Sequence, residues 1–205
     1  MQPLSCIILA GGLSVRMGRD KALLPICQQH DLLTHMVNLA GSAGAANILV
    51  SRSPALQAEA LSYIPFIADY YPQQGPLAGL QACIPECKYE RILVLPVDMP
   101  ALNKDVLQIL LSSTTSACFK GYELPLLIVA DSGQRDQLQR FLNEQLQNAN
   151  ARRSIRSMLH FLQVNELPVM HEQSMLNTNS PEQWQLFLSL KDELQPDVAK
   201  GNNQH

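Results

Sequence analysis

Apolar residues fall into short, separated runs along the first half of the chain. Four of these runs have the length of a single strand and are bounded by turn-forming or charged residues; they span residues 5–10, 47–51, 66–69 and 91–95. A continuous apolar run of this kind is typical of a strand that is buried on both faces of a parallel sheet. We therefore predict four strands in this half of the chain.

The segments between these runs have the spacing of amphipathic helices. Apolar side chains recur every three or four positions in residues 31–40, where Asp31 precedes them as a helix N-cap. Further helices are predicted for residues 54–63, 77–84 and 103–111. Alternation of strands and helices predicts an α/β fold, with a mostly parallel central sheet and helices on both faces.

The second half of the chain alternates less regularly. Here we predict two strands, at residues 116–119 and 126–130, and two helices, at residues 134–147 and 153–162. Ser180 and Gln183 form a capping box around Pro181, which predicts the start of a last helix. We expect a single domain over residues 1–195 and a polar, disordered tail over residues 196–205.

Composition narrows the class of protein. A chain of 205 residues that is 46% hydrophobic and 16% charged is globular, and its net charge of −3 argues against nucleic acid as a partner. No apolar stretch approaches the length of about 20 residues that spans a bilayer, so we expect no membrane contact. Five cysteines without a C-x-x-C pair predict reduced thiols and a cytoplasmic location, with Cys83 and Cys87 as small buried apolar side chains.

The loop that follows the first run carries the strongest chemical signal. It reads Leu-Ala-Gly-Gly-Leu-Ser-Val-Arg-Met-Gly-Arg-Asp-Lys over residues 9–21. Glycines allow the backbone N–H groups to approach an anion, and Arg16, Arg19 and Lys21 add three cations. The spacing fits neither a Walker loop nor a dinucleotide fingerprint. A phosphate-binding loop is the favoured interpretation, and a solvated turn with surface charges is the alternative.

Asp98 is a second candidate. It follows the fourth run and lies between Pro96 and Pro100. Mg²⁺ in proteins is commonly held by one or two carboxylates together with phosphate and water oxygens, which suits an acidic residue at this edge of the sheet. On its own, Asp98 is better explained as a turn-forming residue that precedes a helix.

Several segments together resemble the molybdenum cofactor guanylyltransferases. The loop at residues 9–21 is similar to the family's glycine-rich loop, and residues 69–80 contain its Gly-Pro-Leu-x-Gly segment. Residues 95–102 resemble its Asp-Met-Pro loop, and residues 177–182 its Asn-x-Asn-Ser-Pro-Glu segment. The resemblance covers about residues 4–190.

The resemblance implies a three-layer Rossmann-like nucleotidyltransferase fold and a reaction. GMP is transferred from Mg-GTP to the phosphate of molybdopterin, which usually carries molybdenum already, and pyrophosphate is released. The implied cofactor is Mg²⁺, and the implied substrates are GTP and molybdopterin. We expect a monomer that makes at most transient contacts with cofactor-synthesis or acceptor proteins.

The resemblance also implies roles for individual residues. Catalytic roles fall on Arg16, Lys21 and Asp98, and Asp98 is also the metal ligand. Nucleotide binding falls on Leu9, Ala10, Gly11, Gly12, Lys21, Ser51, Asp69, Pro76, Leu77, Gly79 and Asp98. Acceptor binding falls on Arg152, Arg153, Asn177 and Asn179, although helix-start and capping roles are alternatives for them. Ser51 stands where the family pattern suggests Asn, and the acceptor contacts of residues 121–130 cannot be assigned one by one.

The chemistry explains why the sequence contains no Ser-His-Asp pattern. The attacking group is a phosphate monoester with a second pKa of about 6, so it is already mostly dianionic at neutral pH. The site must instead bring two anions together and stabilise charge on the transferred phosphate.

Three alternatives remain open at this point. The cytidylyl-transferring relatives typically have Ala-Ala-Gly where this chain has Ala-Gly-Gly at residues 10–12, and usually lack the Pro-Leu-Ala-Gly of residues 76–79. Sugar-phosphate nucleotidyltransferases share the Arg-Met-Gly theme but lack the later segments. A non-catalytic homologue that binds a nucleotide or cofactor would have no need to keep Arg16, Lys21 and Asp98 together.

Overall fold

The computed structural model describes residues 2–11, 20–27, 30–57, 59–151 and 153–194. They form seven strands: β1 (Leu4–Leu9), β2 (Ala45–Ser51), β3 (Phe66–Ile67), β4 (Arg91–Pro96), β5 (Ala117–Phe119), β6 (Leu126–Val129) and β7 (Asn165–Leu167). Six helices accompany them: α1 (Leu32–Ser42), α2 (Pro76–Cys83), α3 (Lys104–Leu111), α4 (Ser132–Gln147), α5 (Ile155–Phe161) and α6 (Pro181–Leu194). None of the described helices is both long and apolar enough to cross a membrane.

The strands form one sheet in the order β3-β2-β1-β4-β6-β5-β7. Strands β1 to β4 are parallel, as predicted, whereas β6 runs antiparallel to both of its neighbours, β4 and β5. The register places Leu9 beside Ser51 on one side and Pro96 on the other. The carboxyl ends of the three central strands therefore lie level with one another, at the edge where ligands bind in such sheets.

Helices cover both faces of the sheet, which confirms the predicted architecture. Side chains of β1 alternate between two apolar clusters, with Ile8 in one and Ile7 in the other. The first cluster is closed by α1, α3 and α6, and the second by α2, α4 and α5. Because both faces of β1 are buried, its sequence is apolar rather than alternating, apart from Ser5, whose buried hydroxyl donates to the Asn47 side chain at 2.9 Å.

The predicted helix at residues 54–63 is wrong. The chain instead makes two 3₁₀ turns, Pro54–Leu56 and Glu59–Leu61. Of the six residues in these turns, Leu61 alone is buried, so the segment lacks the apolar face that would stabilise a helix. The Gln57 side chain amide donates to the carbonyls of Leu61 and Ile64, at 3.0 and 2.6 Å, and satisfies backbone groups that a helix would satisfy internally.

The remaining differences lie at element boundaries and at one strand. Strand β7 was not predicted, because its sequence Asn-Glu-Leu has no apolar run and it pairs at the edge of the sheet. Helix α4 begins at Ser132, two residues before its predicted start, because Asp131 and Gln134 form a capping box there. The predicted caps are present elsewhere: Asp31 accepts from the Thr34 N–H at 2.7 Å.

Candidate functional site

A cavity of about 530 Å³ opens at the carboxyl ends of β1 and β4. One wall comes from the end of β1 and the start of α2, and another from the loop that follows β4. A third wall comes from the segment between β5 and β6, together with Ile155, Met175 and Asn177. Of the residues implied by the family resemblance, the lining includes Leu9, Ala10, Gly11, Lys21, Pro76, Asp98 and Asn177.

Lys21 and Asp98 meet at this cavity. Lys21 starts a 3₁₀ turn that Asp20 caps, since the Asp20 carboxylate accepts from the Ala22 N–H at 3.2 Å. The Lys21 ammonium lies 3.5 Å from the Asp98 carboxylate and donates a short hydrogen bond to the Asn179 side chain. Three segments that are remote in sequence thus bring a cation, a carboxylate and an amide together.

The Asp98 loop is held by backbone hydrogen bonds on both sides. The Val97 N–H donates to the Leu9 carbonyl at 3.1 Å, which ties the loop to β1. The Thr178 N–H and hydroxyl both donate to the Asp98 carbonyl, at 2.8 and 3.1 Å. The buried Thr178 therefore locks the segment 177–179 against the loop, and the Asp98 carboxylate projects from a fixed backbone.

The predicted acceptor residues separate into two groups. Asn177 lines the cavity, and its buried side chain oxygen has no hydrogen-bond partner among the described residues. Arg153 does not line the cavity; its guanidinium donates to the carbonyls of Gln145 and Asn148 at the end of α4. Arg152 lies outside the described residues, as do Gly12 and Arg16 of the glycine-rich loop.

The other predicted nucleotide-binding residues cluster behind the lining of the cavity. The Ser51 hydroxyl donates to the Asp69 carboxylate at 3.3 Å. Burial raises the pKa of Asp69 above its usual value, and the Ser51 hydrogen bond opposes part of that rise. Leu77 and Gly79 pack into the core at the start of α2, and Leu77 has no exposed surface. Leu77 therefore offers no surface to a ligand in this structure, and Pro76 is the residue at the start of α2 that lines the cavity.

Sequence reasoning missed part of the lining. The cavity wall at residues 121–124 belongs to a segment whose acceptor contacts could not be assigned, and it begins at Gly121, where φ is +83°. Its only sequence signal was a glycine in a polar stretch. Arg52, which is buried behind the cavity, was also missed; it directly follows β2 in a loop where ligand contacts were expected.

The donor set suits a metal that is held mainly by substrate. Among the described residues, no group of three or more His, Cys, Asp or Glu side chains could hold a metal ion. Two carboxylates line the cavity: Asp98, which lies beside the Lys21 ammonium, and Glu123, which lies 3.4 Å from the Arg156 guanidinium. This arrangement fits Mg²⁺, which keeps water and phosphate oxygens in most of its coordination positions.

The fold and the site together define a class of protein. A Rossmann-like sheet, with a cation and a carboxylate at the carboxyl ends of its central strands, is the arrangement of a nucleotidyltransferase. Two solved structures share the fold. A nucleotidyl transferase from Methanothermobacter thermautotrophicus superposes with a TM-score of 0.70 at 17% identity, over 94% of this chain and 97% of that one. Molybdopterin-guanine dinucleotide biosynthesis protein A from Archaeoglobus fulgidus gives 0.69 at 20% identity, over 92% and 99%.

Sequence comparison gives the family. Residues 6–164 match the family model of the MobA-like NTP transferase domain. The molybdenum cofactor guanylyltransferase of Xanthomonas euvesicatoria pv. vesicatoria is 35% identical over 188 residues, which cover 89% of this chain and 93% of the relative. The chain belongs to the MobA-like NTP transferase family, and within it to the molybdenum cofactor guanylyltransferases. The predicted family and fold class are confirmed.

Proposed function

We propose that the cavity binds GTP and molybdopterin together and transfers GMP to the molybdopterin phosphate. The observation that carries this proposal is the meeting of Lys21, Asp98 and Asn179 beside the end of β1. A cation and a carboxylate at this edge of the sheet match the needs of phosphoryl chemistry between two anions. The guanine specificity follows from the relatives, which are named as guanylyltransferases.

The two substrates would occupy different walls. On the nucleotide side stand Leu9, Ala10, Gly11 and Pro76, with Ser51 and Asp69 behind them. On the acceptor side stand residues 121–124 with Ile155, Met175 and Asn177, a mixture of apolar surface and polar groups that suits a flat pterin. The Asn177 side chain oxygen, which has no partner within the described part of the chain, would accept a hydrogen bond from the acceptor. Arg153 would assist only if it left its carbonyl partners on α4.

In the reaction, an oxygen of the molybdopterin phosphate bonds to the α-phosphorus of GTP. The bond from that phosphorus to the β-phosphate oxygen breaks, and pyrophosphate leaves. Lys21 stabilises negative charge on the transferred and leaving phosphates, and Arg16 is expected to act beside it. Asp98 would hold Mg²⁺, which neutralises charge on the triphosphate when bound.

Enzymes of this family generally use a divalent metal ion, and Mg²⁺ is the specific proposal for this chain. We also infer a monomeric protein with one domain over residues 1–195. The five cysteines are free, and four of them are buried, which is consistent with a reducing compartment such as the cytoplasm.

The direct test is an assay of product formation. Purified protein is incubated with GTP, Mg²⁺ and molybdenum-loaded molybdopterin, and pyrophosphate and the guanine dinucleotide are measured together. We expect both products in equal amounts, and no pyrophosphate release when the pterin is omitted. Binding of GTP without either product would contradict catalysis and favour a carrier protein. Efficient transfer from CTP would instead place the chain with the cytidylyl-transferring enzymes.

A further inference from the structure

Arg52 occupies an unusual position behind the cavity. It directly follows β2 and its side chain is 4% exposed. One guanidinium nitrogen donates to the Ala10 carbonyl at 3.1 Å and to the Asp20 carboxylate at 3.1 Å. The other nitrogen pairs with the second oxygen of Asp20. Burial of a cation costs free energy unless its hydrogen-bond partners are well placed. Here the partners, Ala10 and Asp20, come from two separate points of the chain.

These two points are the ends of the glycine-rich loop. The loop begins at Ala10, directly after β1, and ends at Asp20, immediately before Lys21. Residues 11–19 lie between the two anchors. A second tie, from the Ala10 N–H to the Ser51 carbonyl at 3.3 Å, holds the same end of β1 against β2. One guanidinium therefore sets the separation between the start and the end of the loop.

Asp20 also controls the position of Lys21. Its carboxylate caps the 3₁₀ turn that Lys21 begins, while Arg52 holds the same carboxylate in place. The Arg52 hydrogen bonds are the largest influence on Asp20 and keep its pKa below the usual value. Asp20 is thereby an anion one residue from a cation that faces the cavity, and Arg52 compensates its charge.

We propose that Arg52 and Asp20 are a pair of positioning residues that hold the two ends of the glycine-rich loop, Ala10 and Asp20, and preorganise Lys21 for a triphosphate. Neither lines the cavity, so neither is a catalytic residue. Arg52 acts in two ways: it fixes both ends of the loop, and it neutralises a carboxylate that would otherwise repel the triphosphate. The inference rests on the proposed function, because it requires a nucleotide triphosphate in the cavity.

A GTP-binding assay tests the proposal without requiring the acceptor substrate. Arg52→Ala is expected to weaken GTP binding on the order of ten-fold or more, because it leaves the Asp20 carboxylate without its compensating cation and removes the link between Asp20 and Ala10. Asp20→Asn should weaken binding less, because it removes the repelling charge together with the anchor. Adding Asp20→Asn to Arg52→Ala should restore part of the lost affinity. A purely structural role predicts that the double variant is as weak as Arg52→Ala or weaker.

The Arg52→Lys variant and measurements of turnover provide a second test of the positioning role. A single ammonium cannot reproduce a fork that binds a carbonyl and both carboxylate oxygens, so Arg52→Lys should give intermediate affinity. In Arg52→Ala we expect kcat to fall along with affinity, because a displaced Lys21 serves the transition state poorly. If Arg52→Ala does not fold, Arg52→Lys and Asp20→Asn carry the comparison.

The matched control is Arg91→Ala. Arg91 also donates to two partners, the carbonyls of Ser113 and Leu111 at 2.9 and 2.6 Å, but at the opposite end of β4 from the cavity. The Arg91→Ala variant should lose stability and keep its affinity for GTP. Wild-type protein that binds neither GTP, CTP nor inorganic triphosphate would overturn the proposed function and this inference together. Wild-type binding that Arg52→Ala matches within two-fold would overturn the positioning role alone.

Discussion

Lys21 and Asp98 are proposed to act on the substrates rather than to stabilise the fold. Their side chains lie 3.5 Å apart and are 14% and 23% exposed, at the wall of a cavity. A pair that water still reaches contributes little to folding, on the order of 1 kcal/mol or less. Single substitutions at either residue should therefore change catalysis far more than stability.

Asp98→Asn is the sharper of these substitutions. Because it removes the charge of the proposed metal ligand and keeps its shape, we expect transfer of GMP to fall at least about 100-fold. The free energy of unfolding should change by less than about 1 kcal/mol. Steady-state kinetics across a Mg²⁺ titration and chemical denaturation measure the two effects. Asp105→Asn, at the exposed start of α3, is the control. Near wild-type turnover at saturating Mg²⁺ would show that Asp98 is not the ligand.

Lys21→Ala should affect both GTP binding and the chemical step. The ammonium can touch phosphates in the ground state and again as charge develops, so kcat and GTP affinity should both fall, with kcat/KM down on the order of 100-fold. Arg16→Ala, at a residue outside the described part of the chain, is expected to cost a similar factor. Lys104→Ala, on the exposed surface of α3, is the matched control. An unchanged kcat/KM in Lys21→Ala would mean that the Lys21 ammonium is only a surface charge without a role in the reaction.

At the scale of elements, α2 packs on β2 through a glycine. A methyl group at Gly79 would lie 3.0 Å from the Ser51 Cβ and 3.3 Å from a Leu9 methyl, and closer still to the Ser51 hydroxyl. Ser51 cannot turn away without losing its hydrogen bond to Asp69, and its Cβ would remain in the way. Gly79 is therefore explained by helix–strand packing, whatever contact its backbone makes with a nucleotide.

Gly79→Ala should destabilise the protein by about 1–3 kcal/mol through overpacking. Gly41→Ala in α1 is the control: nothing lies within 4 Å of its added methyl, and a helical Ala should stabilise by up to about 1 kcal/mol. Denaturant unfolding of both variants measures the difference. Equal stability of the two variants would show that α2 shifts freely against β2, and the packing argument would be wrong.

Helix α1 is joined to the Asp98 loop by His35, which donates a hydrogen bond to the Pro100 carbonyl. Burial lowers the pKa of His35 to about 4, and His30 contributes in the same direction. The unfolded chain binds this proton near pH 6.5, whereas the folded chain binds it only near pH 4. Stability should therefore fall as the pH drops from about 6.5 to 4, by up to about 3 kcal/mol.

His35→Gln keeps a donor for the Pro100 carbonyl and cannot take up a proton. We expect the variant to lose less stability than wild type across that pH interval, as measured by urea unfolding at several pH values. His171→Gln, at an exposed position, should leave the slope unchanged. A slope in His35→Gln as steep as that of wild type would assign the acid sensitivity to other groups.

The elements that sequence patterns predicted well are those whose residues are buried on both sides. Strands β1, β2 and β4 could be predicted because continuous apolar runs leave few alternatives. Strand β7 and the two 3₁₀ turns near residues 54–61 could not, because edge pairing and side-chain hydrogen bonds such as those of Gln57 leave no periodic signal. Segments of the site were predictable for the same reason: they follow directly from buried strands.

At the scale of the whole molecule, the site is assembled from seven separate parts of the chain. The end of β1, the start of α2 and the loop after β4 were each predictable as loops at one edge of the sheet. Residues 121–124 reach the cavity because β6 runs antiparallel to β4, a reversal that the apolar pattern of β6 does not encode. The contact of Asn179 with Lys21 likewise depends on how the 177–179 segment returns across the sheet. Tertiary packing, rather than the local sequence pattern, thus determines which residues form the wall that we propose for the acceptor.

This assembly leads to a prediction about the choice of nucleotide. Gly11 and Pro76 line the side of the cavity that we propose for the nucleotide, and α2 begins at Pro76. We expect the base to be recognised by backbone N–H groups at this edge of the sheet. Such groups can donate to the guanine carbonyl, whereas adenine presents an amine there. Sites that hydrogen-bond a substrate group reject analogues lacking it better than sites that measure only size. We expect kcat/KM for GTP to exceed that for ATP and CTP at least about 100-fold.

Gly11→Ala tests the spatial part of that preference. The added methyl would lie 3.4 Å from the Ser51 carbonyl oxygen and 3.9 Å from its hydroxyl, which are ordinary contacts, so the variant should fold normally. Because Gly11 lines the cavity, the methyl should take room from the larger purine; we expect use of GTP to fall and the gap to CTP to narrow on the order of ten-fold. Gly41→Ala, remote from the cavity, controls for the substitution itself. Competition assays with the three nucleotides decide the matter, and equal or better use of CTP by wild type would overturn the guanine preference.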